Sequence, residues 1–310
     1  MAKTKPPLAV IAGPTASGKS ALALALAERS GGVIVNADAS QLYRDIPILS
    51  AAPSVDDLGR AEHRLFGVRD GADPCSAAEW ATLARIEIAD AHARGALPIL
   101  AGGTGLYLRT LLDGIAPVPA IDPAIRADVR AAPVAQNRTR LSELDREAAD
   151  RLGPNDSARI ARALEVVLST GRTLADWQSR REGGLGDAVE LRPLILLPPR
   201  DWLYARCDAR FAAMIEEGAV DEVRALLDRN LSPALPVMRA IGVAHIAAFL
   251  NGSTNLDDAI AAGQHATRNY AKRQYTWLAH QPPAEWVRFD EPLGESRAFC
   301  SGLELLVPSP

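Results

Sequence analysis

The chain alternates between short, continuous apolar runs and longer stretches of helical period, and the runs end on glycine or a polar residue. Residues 8–12 form one such run, stopped by Gly13, and the Ala/Leu-rich residues 19–29 follow with helical composition. The segment reads as strand, glycine loop, helix. Residues 33–36 give a second buried strand. Ser76 followed by Glu79 has the form of a capping box, and the helical pattern it opens runs to Arg94, where Gly95 supplies a stop. Residues 97–101 are the next strand, ending in the GGTG segment at 102–105. Strands that alternate with helices, each delivering glycine or a polar residue at its carboxyl end, predict an α/β fold. Its sheet is parallel and binds ligands along that edge.

Beyond residue 116 the pattern changes. Pro117, Pro119 and Pro123 break the chain, residues 124–181 show helical patterning only, and Gly183, Gly184 and Gly186 precede a resumed strand at 191–197. A helical block bracketed in this way predicts an insertion at 117–187 into a core made of 1–116 and 188–310. From Asp201 to Gln281 the chain reads mostly helical, with breaks near Gly218, Pro233, Pro236 and Gly252.

Composition narrows the class. With 48% hydrophobic and 23% charged residues over 310 positions, the chain has the profile of a globular protein able to bury a core. Aromatic residues are only 5%, so burial falls to aliphatic side chains. Cys75, Cys207 and Cys300 are far apart and form no CxxC pair, which argues against a disulfide framework or a zinc site and for a reducing compartment. No apolar run approaches a bilayer span and no signal-peptide pattern precedes the first strand, so cytoplasmic residence without a membrane partner is expected. A net charge of −4 argues against a dedicated nucleic-acid-binding protein. Basic residues nevertheless gather at 159–181 and at Arg268, Lys272 and Arg273, compatible with a basic face on an acidic body.

The strongest local signal is Gly13, Pro14, Thr15, Ala16, Ser17, Gly18, Lys19 and Ser20, which satisfy GxxxxGK[ST] between a strand and a helix. In such a P-loop, backbone N–H groups turn inward on phosphate oxygens, Lys19 reaches the terminal phosphate and Ser20 is placed to ligate Mg²⁺. The loop implies a diphosphate or triphosphate without naming the rest of the ligand. An ordinary NTPase also has an apolar strand ending in Asp, but residues 97–101 end in GGTG and 191–197 end in Pro198 and Pro199. The well-placed carboxylate is Asp38, open to reading as a metal-shell ligand, a cap or a general base. Arg206 and Arg210 lie at i and i+4 on one helix face, either as a solvated pair or as phosphate ligands. Thr104 follows glycines, as a helix cap would.

GPTASGKS at 13–20, NADASQLYRDIPI at 36–48, GGTGLYL at 102–108, NDSARIARALEV at 155–166 and TRNYAKRQYTWL at 267–278 together resemble the tRNA dimethylallyltransferases, or tRNA isopentenyltransferases. The resemblance runs from the first strand past residue 278. It implies a P-loop NTPase-like sheet with a helical insertion and a helical C-terminal region. The activity it implies is transfer of the prenyl group of dimethylallyl diphosphate to N6 of adenosine 37, beside the anticodon of tRNA. By the same resemblance Asp38 is the general base, Lys19 and Arg210 stabilise the departing diphosphate with Mg²⁺ on Ser20, and Thr104 sits beside the adenosine.

Contacts to the tRNA anticodon stem-loop are implied at Asp38, Ala39, Ser40, Gln41, Thr104 and Arg126, and at Ala158, Arg159, Ile160, Ala161 and Arg162. Further contacts are implied at Arg239, Ala240, Ile241 and Gly242, and at Arg268, Lys272, Arg273, Gln274, Tyr275, Thr276 and Trp277. On a helix, Arg268, Lys272 and Tyr275 share a face and suit a basic stripe with an aromatic neighbour; a solvated face has the same pattern. The acceptor base must leave its stack to enter a protein channel. The chain departs from the family where Val243 and Ala244 follow Gly242, and at Asn269, where Gln is common. A monomer is the simplest expectation. Competing readings are an ATP-dependent small-molecule kinase, a transferase acting on free adenine nucleotides and a non-catalytic RNA-binding switch.

Overall fold

The computed structural model describes residues 5–294 and 296–306. The chain begins with β1 (Pro7–Ala12), α1 (Lys19–Ser30), β2 (Val33–Asn36), α2 (Val55–Arg60), β3 (Glu62–Arg64), α3 (Ala77–Ala93), β4 (Pro98–Gly102) and α4 (Gly105–Leu112). Five helices follow: α5 (Pro123–Ala131), α6 (Val134–Leu144), α7 (Arg146–Arg151), α8 (Ser157–Thr170) and α9 (Leu174–Gln178). The sheet resumes with β5 (Glu190–Leu196). Then come α10 (Arg200–Glu216), α11 (Ala219–Asp228), α12 (Val243–Leu250) and α13 (Leu256–His280), before β6 (Val287–Phe289) and α14 (Ser296–Glu304).

Six strands form one sheet in the order β3-β2-β4-β1-β5-β6, and every pairing is parallel. The continuous apolar runs are explained by burial on both faces. Leu8, Val10 and Ala12 of β1 join one core cluster, with α3, α4 and the C-terminal helices, while Ala9 and Ile11 join the other, with α1 and α14. β3 and β6, three residues each, escape sequence reading, β3 because Glu62, His63 and Arg64 at the sheet edge carry no apolar run and β6 because Val287 and Phe289 flank a single Arg288.

Local chemistry fixes the elements that surround the site. The Ser76 hydroxyl accepts from the Glu79 N–H at 3.2 Å and the Glu79 carboxylate accepts from the Ser76 N–H at 2.8 Å, closing the capping box that starts α3. Hydrogen bonding from the Ser76 N–H, then from the Ser76 hydroxyl, holds the Glu79 carboxyl below the usual carboxylate range. α3 then buries Trp80, whose indole N–H donates to the Asn36 carbonyl at 2.9 Å and whose ring stacks on Tyr107 of α4 at 4.4 Å. The carboxyl end of β2 is thereby tied to two helices.

Residues 113–184 form a compact unit of their own. It starts at Asp113, ahead of the expected 117, because Gly114 turns at φ 86 and Ile115 bridges antiparallel to Glu182, leaving Pro117 and Pro119 inside the unit. It ends at Gly184, short of 187, because the Leu185 N–H donates to the Leu111 carbonyl at 2.9 Å and rejoins the sheet-bearing core. Val129, Leu141, Ile160 and Leu164 centre the unit's own core. Among the described residues no helix is long and apolar enough to cross a membrane.

Candidate active site

The loop after β1 wraps with Ala16 at φ 64 and Gly18 at φ 96, conformations that point successive N–H groups to one side. Lys19 opens α1 with its ammonium 3.5 Å from the Pro14 carbonyl. Burial lowers its pKa to about 8, an effect that nearby Asp38 partly opposes and Arg210 reinforces. Among the described residues the buried Ser17 Oγ has no hydrogen-bond partner, as a cradle shaped for an acceptor-rich ligand would leave it.

Two arginines of α10 close this cradle. Arg206 donates through Nε to the Ala16 carbonyl at 2.9 Å, and Arg210 donates through Nη1 to the Thr15 hydroxyl at 3.3 Å. Both therefore reach the P-loop, Arg206 from an exposed position and Arg210 from a half-buried one. Burial, then the neighbouring Arg206, holds the Arg210 pKa below its ordinary value.

The second part of the site is built after β2. The Asn36 carboxamide donates to the carbonyls of Asp38, at 3.0 Å, and Leu65, at 2.9 Å, and accepts from the Asp38 N–H at 2.7 Å. Asp38 is itself buried and accepts from the Ser40 N–H through Oδ1 at 3.1 Å, an Asx-type cap on the turn that follows. Capping thus occupies one oxygen, and among the described residues Oδ2 accepts no hydrogen bond. Thr104 does not cap α4 with its side chain: Oγ1 accepts from the Ala39 N–H at 3.0 Å and binds the two loops together.

Gln274, expected to touch RNA, is buried on α13 and grips the P-loop instead. Its Oε1 accepts from the Thr15 N–H at 2.8 Å and its Nε2 donates to the Gly103 carbonyl at 3.0 Å. A Cβ at Gly103 would lie 2.3 Å from that Nε2, and one at Gly105 would lie 2.4 Å from the Trp277 ring, so the GGTG turn admits no side chain at either position. Replacing Gln274 by Ala strands a backbone donor and an acceptor. It is expected to cost ~2 kcal/mol of stability and to weaken diphosphate affinity, both readable by denaturation and donor titration.

Sequence reading missed Tyr270. Thr104 hydrogen-bonds its hydroxyl, and burial, then Asp38, raises its pKa. The available signal was the period of α13, whose buried positions Gly263, Thr267, Ala271, Gln274 and Leu278 mark an inward face carrying polar groups.

Two cavities meet at Arg210. The larger, about 550 Å³, is lined by Gly18, Lys19, Ser20, Arg206 and Arg210, with Leu24, Ile34 and Phe66 beyond them. The smaller, about 50 Å³, brings Thr15, Arg210, Asp38, Ser40 and Tyr270 onto walls formed by Leu49, Phe211, Met214 and Ile241. Among the described residues no three His, Cys, Asp or Glu side chains cluster as metal ligands. The Ser20 hydroxyl is among the oxygen donors lining the larger cavity, and a single protein hydroxyl suits Mg²⁺, which keeps several waters and binds phosphate oxygens.

The remaining residues expected at RNA are dispersed. Gln41 is buried and donates to the carbonyls of Ser50, at 3.1 Å, and Ala51, at 2.6 Å, bracing its own loop. Ala240 and Ile241 line the smaller cavity, Gly242 starts α12 at φ 98, and the exposed Arg239 donates to the Ala234 carbonyl. On α13, Lys272, Arg273 and Thr276 are exposed, and Arg109 lies over the half-buried Trp277 ring at 5.7 Å. Arg268 is ion-paired with Asp208. The Tyr275 hydroxyl donates to the Leu197 carbonyl at 3.3 Å while Arg200 covers its ring. The expected stripe of Arg268, Lys272 and Tyr275 thus gives way to Lys272 and Arg273.

In the helical unit Ala158 and Arg159 are exposed, and Arg159 pairs with Asp156 at 2.9 Å. Ile160 and Ala161 belong to the unit's core, because they fall on the apolar face of α8. Burial lowers the Arg162 pKa. The exposed Arg126 lies 3.8 Å from the fully buried Glu165, which also binds Arg130 at 2.5 Å.

A P-loop NTPase-like sheet whose phosphate-type loop borders one cavity, with a second cavity at Arg210 that holds Asp38 among apolar side chains, defines the class of P-loop-fold proteins. Residues 41–281 match the family described as IPP transferase, and the chain belongs to that family. It is 64% identical over 287 residues to a tRNA dimethylallyltransferase of Sphingopyxis alaskensis, covering 92% of this chain and 94% of that protein. A tRNA dimethylallyltransferase of Erythrobacter litoralis is 60% identical over 291 residues, 92% of each chain. Among solved structures, the full-length tRNA isopentenylpyrophosphate transferase from Bacillus halodurans superposes with TM-score 0.69 at 30% identity over 97% of both chains. A eukaryotic dimethylallyltransferase acting on tRNA gives TM-score 0.76 at 27% identity, over 88% of this chain and 70% of that one.

Proposed function

We propose that this chain transfers the dimethylallyl group of dimethylallyl diphosphate to N6 of adenosine 37 in tRNA, giving N6-isopentenyladenosine and diphosphate. The observation that carries the reading is the smaller cavity, where Asp38 and the phosphate-facing Arg210 border one apolar-walled space. The P-loop amides, Lys19 and Arg210 hold the diphosphate, and Mg²⁺, if held through the Ser20 hydroxyl, would supply further neutralisation of the leaving group. N6 attacks the allylic C1, the N–C bond forms as the C–O bond to diphosphate breaks, and the N6 proton passes to Asp38 Oδ2. Thr104 and Tyr270 border the acceptor. Every group named comes from one chain, in keeping with a monomer.

Single-turnover incubation with unmodified tRNA and labelled dimethylallyl diphosphate, alongside labelled ATP, tests the reading. Prenyl label in RNA is expected, and phosphate transfer from ATP without it identifies a kinase instead.

Lys272 and Arg273 are the exposed cations of α13 proposed to meet RNA phosphate. Replacing both by Ala is expected to shallow the slope of log affinity against log salt by about one to two units, because fewer counterions are released. The prenylation rate at saturating tRNA should stay unchanged. An unaltered slope assigns the pair to a solvated face.

A further inference from the structure

We propose that Arg126, Arg130 and Arg162 of the helical unit form a site for the RNA sugar-phosphate backbone, and that the buried Glu165 is the positioning residue that sets its geometry. This rests on the transferase reading above and deepens it. The family resemblance reaches Arg126 and Arg162; Arg130 and Glu165 come from the geometry. Glu165 of α8 is fully buried, yet its carboxylate meets two arginines of α5 whose side chains are each more than half exposed. Oε1 accepts from Arg130 Nε at 2.5 Å, and Oε2 lies 3.8 Å from Arg126 Nε. Arg126 and Arg130 stand about one turn apart on α5 and so share a face. Arg162, three residues before Glu165 on α8, feels all three groups: burial lowers its pKa, Glu165 opposes that shift, and Arg126 and Arg130 add to it.

A carboxylate taken out of water is costly even when paired, so for stability alone an apolar residue would serve at this position of α8. Val129 of α5 already shares a core with Ile160 and Leu164 of α8, so the two helices do not depend on an ion pair to stay together. What the carboxylate adds lies on the outside. It faces both guanidiniums at their Nε edges, and among the described residues neither makes another hydrogen bond, so their Nη donors stay open. Oε2 itself has no hydrogen-bond partner among the described residues, so the carboxylate is committed to these arginines. Three cations share one anion, which leaves the patch with a surplus of positive charge. An arginine fork fixed in this way meets a phosphate with two parallel N–H groups and gives up less side-chain freedom on binding.

The test measures tRNA affinity across a salt series, with single-turnover prenylation and donor titration alongside. Charge alone and positioning predict opposite signs: removing an anion beside a polyanion's site tightens binding, whereas removing the group that orients the cations weakens it. Glu165→Gln is expected to weaken tRNA binding about tenfold, with donor affinity and the rate at saturating tRNA close to the parent's. Arg130→Gln should shallow the slope of log affinity against log salt by about one. Arg130→Lys keeps the charge and the slope but lacks the Nε edge that Glu165 grips, and should bind tRNA about fivefold more weakly. That surface variant decides the matter if Glu165→Gln proves unfolded by thermal melting. Parental or tighter tRNA binding by a folded Glu165→Gln, an unaltered slope in Arg130→Gln, or parental affinity in Arg130→Lys overturns the site. A parent that binds tRNA but transfers no prenyl label to it overturns the transferase reading instead.

Discussion

Asp38→Asn is expected to slow the chemical step by about 100-fold or more, while donor and tRNA affinities stay near those of the parent, because a general base acts in the transition state. Asn is the informative substitution. Asp38 Oδ1 accepts from the Ser40 N–H, and an Asn side-chain carbonyl keeps that bond, so the turn after β2 and the Thr104 tie to Ala39 should survive. What the variant loses is an oxygen able to take the N6 proton. The measurement is single-turnover prenylation at saturating donor and tRNA, with separate titrations of both ligands. A parental rate in Asp38→Asn removes the carboxylate from the mechanism and leaves it as a turn cap.

The parts legible in the sequence are those whose cause is local or periodic. β1 and β2 are buried on both faces and announce themselves as continuous apolar runs, and the P-loop is contiguous, so neither depends on distant residues. The Ser76 capping box is a short-range signal and holds as read. β3 stays hidden because an edge strand of three polar residues is fixed by its pairing with β2, which no window of sequence contains.

The site shows the same division. Asp38 is legible from its place just past a strand end. The work of Gln274 is not, because its partners Thr15 and Gly103 lie 259 and 171 positions away, and the family resemblance alone assigns it to RNA contact. Arg268 misleads for a related reason, since its partner Asp208 sits on another helix. Ile160 and Ala161 fall within a motif attributed to RNA contact, yet the 3.6-residue period of α8 turns them into the core and leaves Arg159 outside.

Donor binding by the free enzyme should weaken as pH rises through about 8, the pKa to which burial lowers Lys19. The sign follows from which form holds the ligand: below that pH the amine is an ammonium that neutralises diphosphate, and above it the cradle loses one positive charge. Affinity should therefore be flat toward neutrality and fall by about tenfold per pH unit well above the break, if the neutral amine binds poorly. The donor's own phosphate ionises near pH 6, below this window, so it adds no slope of the same sign. Bound diphosphate brings negative charge to the buried ammonium and raises its pKa, so binding at pH 8–9 should take up protons. Lys19→Met fills the same space without the charge. It should bind the donor about 100-fold more weakly at pH 7, the scale of losing a buried charge-assisted hydrogen bond, and show no break near pH 8. Arg210→Met should weaken binding too but keep the break, because arginine does not titrate there. Titrating dimethylallyl diphosphate without tRNA from pH 6.5 to 9.5 separates these outcomes. A parental affinity that stays level across pH 8, or an unchanged break in Lys19→Met, places the titrating cation elsewhere than Lys19.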